Sequence, residues 1–240
     1  MMFLILIMSC MIAGSLACGN AECKDPILAD KLQETGFLPD EEQLEILCPK
    51  IINFVECERK FMENSGQTLE ELATSSDKRK AGEAKAMLGG IGLIRDACDK
   101  GSSFHTDYVA NVNCYREYFK GPVENCGENI TKLVEEFFDQ LYADENIYNT
   151  SSEIYSQFSC LIDVYEVVCI IDNLGEACGN IAQRQAQEVV TRMKGLYEGS
   201  LCKNILDSTN LKTMFLDFLK LDEQRRSNIQ GIFDLIKRRR

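Results

Sequence analysis

Residues Ser159–Gly179 read SCLIDVYEVVCIIDNLGEACG, with Cys160, Cys169 and Cys178 each nine residues apart. At about 100° per residue, nine steps along a helix turn a side chain by about 180°, and eighteen bring it back. On one helix, Cys160 and Cys178 therefore share a face and Cys169 points away from them. Cys48 and Cys57 repeat the same spacing. Partners nine apart on a regular helix lie too far from each other to bond, because a disulfide needs Cα atoms within about 7 Å. The bridges must run between helices or across a helix end such as that near Gly175, and each such helix is clamped between two neighbours. The resulting expectation is an all-α, disulfide-stapled domain.

The rest of the chain agrees with helix. It has only four prolines and no Trp, and no sustained period-2 run of β-branched residues. After Pro39, with Asp40 as the N-terminal cap, Leu44, Leu47, Ile51, Phe54 and Val55 recur at helical spacing, and Pro49 is expected to kink or restart this stretch. Thr131–Leu141 sets Leu133, Val134, Phe137, Phe138 and Leu141 on one stripe, and Ser152–Cys169 and Ile181–Leu196 read likewise. The cluster Gly89-Gly90-Ile91-Gly92, the polar stretch Glu63–Ala81 and Ala143–Ser152 read as mobile connections.

Twelve cysteines in 240 residues follow an apolar start. Met1–Ala17, MMFLILIMSCMIAGSLA, has the apolar core and small terminal residues of a secretory signal. Cleavage after Ala17 leaves eleven cysteines. Cleavage after Gly19 leaves ten: Cys23, Cys48, Cys57, Cys98, Cys114, Cys126, Cys160, Cys169, Cys178 and Cys202. Ten can all pair, as five disulfides, so the signal is assigned to 1–19. A bacterial lipoprotein acylated on Cys18 fits less well: Ser15 stands where such signals carry Leu, and no Lys or Arg precedes the apolar run. Secretion into an oxidising compartment is where such thiols pair and stay paired. No second apolar run approaches the roughly 20 residues that span a bilayer.

Charge separates a cysteine-rich region, 20–202, from a tail, 203–240. The tail holds nine Lys/Arg against five Asp/Glu, a net of +4, while the remainder carries −16. Leu211, Met214, Phe215, Phe218 and Leu219, then Ile229, Ile232, Phe233 and Ile236, make it a C-terminal amphipathic helical arm ending in Lys237-Arg238-Arg239-Arg240. Its first reading is a terminal helix packing on the body. A detachable arm for an anionic membrane or a partner groove is the alternative, and processing at Arg225-Arg226 is a third.

Catalytic patterns are missing. The single histidine, His105, lies in SSFHTD without a nucleophile elbow, and reads as a helix-start or surface residue. Zinc enzymes generally need two or three histidines, and oxidised cysteines offer no thiolate. The acidic runs Asp40-Glu41-Glu42, Glu70-Glu71 and Asp144-Glu145 lack calcium-loop spacing. No Lys-Ser/Thr follows the glycine cluster, as a phosphate loop requires. No enzyme activity, metal or cofactor is expected, and the acidic body disfavours nucleic acid. Asn129-Ile130-Thr131 and Asn149-Thr150-Ser151 are glycosylation sequons in a secreted chain.

The segment Ala97–Cys126, ACDKGSSFHTDYVANVNCYREYFKGPVENC, is followed by SCLIDVYEVVC (159–169), EACG (176–179) and Cys202. Over about residues 44–202 this order of Cys, Gly-Ser, Tyr and Cys-Gly resembles the secreted cysteine-rich proteins of arthropods and nematodes grouped as "domain of unknown function 19". Relatives in that group often carry adjacent paired cysteines where this chain has the single Cys160. The resemblance implies an extracellular helical disulfide fold and supplies no activity. The functional expectation is a secreted, non-enzymatic binding protein with an unknown extracellular protein partner, or alternatively a carrier of a small, lipid-like hydrophobic ligand.

Overall fold

The structure is a computed structural model that describes residues 21–23, 25–64, 66–120, 124–142, 152–198, 202 and 209–236. A 3-10 turn, Ala21–Cys23, precedes helices α1 (Pro26–Glu34), α2 (Glu41–Asn64), α3 (Leu69–Ala73), α4 (Lys78–Cys98) and α5 (Ser103–Lys120). Next come α6 (Glu124–Leu141), α7 (Ser152–Met193), α8 (Gly195–Glu198), α9 (Thr209–Phe218) and α10 (Glu223–Ile236). Among the described residues there is no strand, and the all-α, disulfide-stapled expectation holds.

Local chemistry sets the helix starts. Asp25 caps α1, accepting from the Leu28 N–H at 3.1 Å, with Pro26 in the first turn where a missing N–H costs nothing. Asp40 and Gln43 form a reciprocal cap on α2: the Gln43 N–H donates to Asp40 Oδ1 at 3.0 Å, and the Asp40 N–H to Gln43 Oε1 at 2.9 Å. Pro49 does not restart α2, which runs unbroken over 24 residues. Its ring faces solvent, while the buried Leu47, Cys48 and Ile51 hold the helix through the missing N–H.

One expected connection is helical instead, and another is helical in part, with non-helical links at 66–68 and 74–77. Within 63–81, Thr68 and Glu71 make a capping box that starts α3, and Leu69 is buried. Gly89–Gly92 lie in the middle of α4. A Cβ on Gly89 would stand 2.1 Å from the Arg192 carbonyl oxygen of α7, and one on Gly195 would stand 2.4 Å from Gly82 O. These glycines answer to close helix contact rather than to mobility: α4 meets α7 and α8 backbone to backbone. The third expected connection, 143–152, lies almost wholly outside the described residues.

α7 breaks at Gly179, whose φ of 86° belongs to the left-handed region that glycine adopts freely. The helix end expected near Gly175 thus falls four residues later. Among the described residues four bridges are seen: Cys23–Cys57, Cys48–Cys98, Cys114–Cys178 and Cys160–Cys202, with Cα atoms 5.1–5.8 Å apart. Cys48 and Cys57 clamp α2 from two sides, to α4 and to the N-terminal turn, as their spacing requires. Cys169 is also oxidised; the Cys126 side chain lies outside the described residues.

The larger core joins α5, α6, α7, α9 and α10 through Tyr115, Phe137, Phe138, Val164, Phe215 and Phe233. Phe215 packs against the rings of Phe137 and Tyr165, with centroids 5.1 and 5.7 Å away. The tail is therefore core. Phe215 and Phe233 are 0% and 1% exposed, and Asn228 donates to Asp172 of α7 at 3.0 Å. The detachable-arm reading does not hold for 209–236, because Leu211, Phe215, Leu216, Ile229 and Phe233 are already buried in the core with α6 and α7; residues 237–240 lie outside the described part.

Candidate functional site

The connection between α1 and α2 is built as a strap. α1 ends with the Gly36 N–H bonded to Gln33 O and the Phe37 N–H bonded to Leu32 O, each at 2.9 Å. This Schellman arrangement needs a left-handed residue after the cap. Gly36 has φ 61° and Phe37 follows at 62°, so the chain reverses over two residues and lays Phe37, Leu38 and Pro39 across the domain. Side chains of α5 tie the strap down. Arg116 Nε donates to Leu38 O at 2.9 Å, its Nη groups reach Asp40 Oδ2 at 3.3 Å, and Nη2 reaches Gln43 Oε1 at 2.6 Å. The Tyr108 hydroxyl donates to Pro39 O at 2.8 Å.

Beneath the strap lies a chamber of about 130 Å³. Leu44 and Ile51 of α2, Leu93 and Ile94 of α4, and Phe104, Tyr108 and Tyr115 of α5 form three walls. Ala182, Gln185, Ala186, Val189 and Met193, on α7 beyond the Gly179 break, form the fourth. Among the described residues, no Asp, Glu, Lys, Arg or His lines it. Close approach of α4, permitted by its glycines and alanines, brings the α2–α4 and α5–α7 layers together around the space.

Besides the Tyr108–Pro39 bond, the side-chain hydrogen bonds on the wall form one chain. The Tyr115 hydroxyl donates to Gln185 Oε1 at 2.6 Å, and Gln185 Nε2 donates to Phe104 O at 2.8 Å. Burial pushes the Tyr115 hydroxyl up in pKa, with Asp107 adding to the effect. Burial also raises Tyr108, against the pull of Arg116, and raises Tyr197 elsewhere in the core. Raised folded values mean that the unfolded chain ionises first, near pH 10. The tyrosines' contribution is then complete below about pH 10 and disappears as pH climbs beyond it. In an alkaline titration, tyrosinate absorbance from these residues should appear together with loss of helical circular dichroism, not before it.

His105 sits in the first turn of α5, as expected, yet is buried rather than on the surface. Its Nδ1–H donates to Ala97 O at 2.6 Å, fastening the end of α4 to α5. Of the ten cysteines predicted to pair, eight form the four described bridges and a ninth is oxidised. Asn149 and the side chain of Asn129 lie outside the described residues. No family model, curated protein or solved structure matches this chain.

Little in the residue pattern points to the chamber. Its lining residues look like ordinary core, and Gln185 is camouflaged in the polar run Gln183-Arg184-Gln185. The usable signal was Tyr108 and Tyr115, seven apart and hence on one face of α5, with Gln185 falling on the apolar stripe of 181–196.

Proposed function

We propose that this chain is a secreted, non-enzymatic binding protein whose chamber holds a small apolar molecule. The observation that carries the reading is the uncharged, partly open hollow of about 130 Å³ lined by four helices and a strap. Ligand sites are typically concave, mostly apolar and furnished with a few placed polar groups, which describes this one. Oxidised cysteines support an extracellular setting. Among the described residues, no helix is long and apolar enough to cross a membrane. The cysteine order that resembles the secreted arthropod and nematode proteins points the same way. Docking through the basic tail is the weaker reading, since its apolar face is already committed to the core.

Benzene is a suitable probe, because an engineered apolar cavity of about 150 Å³ binds it. A ligand present at about 100 times its Kd adds roughly 2.7 kcal/mol to stability. Benzene should accordingly raise the melting temperature of the native protein. Ala186→Met, which places a flexible side chain in the chamber, should abolish that rise. A melting temperature indifferent to benzene, with no small molecule on protein taken from its natural source by native mass spectrometry, would refute the carrier function. Turnover of a substrate by the purified protein would refute the non-enzymatic part.

A further inference from the structure

We propose that the chamber selects a compact, uncharged molecule of about six to eight heavy atoms that presents one hydroxyl or carbonyl oxygen to the Tyr115–Gln185 pair. This rests on the reading of the chamber as a binding site and narrows what it takes.

Size comes first. Sites for drug-sized ligands measure about 300–1,000 Å³, whereas this chamber measures about 130 Å³. It accommodates a substituted six-membered ring and is far too small for the acyl chain of a membrane lipid, which is about 15 Å long in half a bilayer core. Charge comes second. A carboxylate brought into the chamber loses its water and meets no cation on the walls, a heavy cost for a buried ion. A fatty acid held whole inside the chamber is disfavoured on both counts.

The oxygen follows from the wall chemistry. Phe104 O can only accept, which fixes the Gln185 amide with its nitrogen toward Phe104 and its oxygen toward the Tyr115 hydroxyl. An amide has two N–H donors and two acceptor lone pairs. One of each is taken up by these contacts, and Tyr115 Oη retains its own lone pairs. Gln185 is 6% exposed, so this remaining capacity is buried at the chamber wall. Apolar side chains of similar volume would join α5 to α7 without the cost of burying polar groups. A ligand oxygen accepting the second Gln185 N–H, or a ligand hydroxyl donating to Tyr115 Oη, uses what the protein leaves open.

The test compares p-cresol, toluene and p-toluate, which share one ring and one methyl group, on the native disulfide-bonded chain by calorimetry. The expected order is p-cresol tighter than toluene by roughly 3- to 10-fold, the value of one net hydrogen bond, and p-toluate weaker than p-cresol by at least about 100-fold. In the double variant Tyr115→Phe/Gln185→Met, toluene should still bind and p-cresol should lose its advantage. The ranking is read on the native chain, so failure of the variant to fold leaves the test intact. Equal binding of p-cresol and toluene by the native chain, p-toluate within tenfold of p-cresol, or a preference that survives in the double variant would overturn the proposal. If none of the three binds while xenon occupies the chamber, the ligand class is wrong and the site stands. If xenon is excluded as well, the binding reading itself falls.

Discussion

A chain ending at Cys202 will not unfold cooperatively, because its main core will be incomplete. Truncation removes Phe215, Leu216, Ile229 and Phe233, all 0–2% exposed, together with Leu211. Deleting one buried Phe side chain costs about 3–5 kcal/mol, and burying a Leu or Ile contributes about 1.5–3 kcal/mol. These losses together match or exceed the whole stability of a typical domain, about 5–15 kcal/mol. Truncation also uncovers Phe137 and Tyr165, which face Phe215. Phe215→Ala isolates the effect: a loss of about 3–5 kcal/mol should lower the melting temperature by roughly 6–20 °C at this chain length. A truncated protein that melts within a few degrees of the full chain would show that the tail is an accessory after all.

Replacing Cys48 and Cys98 together by Ala is the second large perturbation. The bridge closes a loop of 50 residues, and chain-entropy reasoning assigns it about 4 kcal/mol. Guanidinium denaturation should show a lower midpoint and a steeper dependence on denaturant, since the freed unfolded chain exposes more surface. Cys98 also lines the chamber and holds α2 to α4 across it. The same variant should therefore bind benzene more weakly than the native protein. An unchanged midpoint would mean that packing of Leu47, Ile51 and Ile94 alone fixes these two helices.

Features that depend on period and capping were legible in the sequence. Nine-residue cysteine spacing predicted bridges between helices, and Pro39-Asp40 marked the start of α2. What tertiary contact decides was not. Gly89–Gly92 looks like a flexible joint until Arg192 O is found against Gly89, and Pro49 looks like a break until the buried residues around it are seen. Gln185 is a polar residue in a polar run, and Arg116 stands between Tyr115 and Glu117 with nothing to mark it. Only the fold reveals that one is buried beside a hollow and the other grips the backbone of a strap some 78 residues earlier in sequence.

The four described bridges fall into two interleaved pairs, one confined to 23–98 and the other to 114–202; none crosses the exposed turn at 99–101. Chains are made from the N-terminus, and structure forms in that order. The first covalent circuit has every sulfur it needs once Cys98 has emerged, before any of α5 exists. Leu44, Ile51, Leu93 and Ile94 belong to the first stitched part, and Tyr115, Gln185 and Val189 to the second. The hollow is the seam between two separately stitched pieces, and no described disulfide joins one piece to the other.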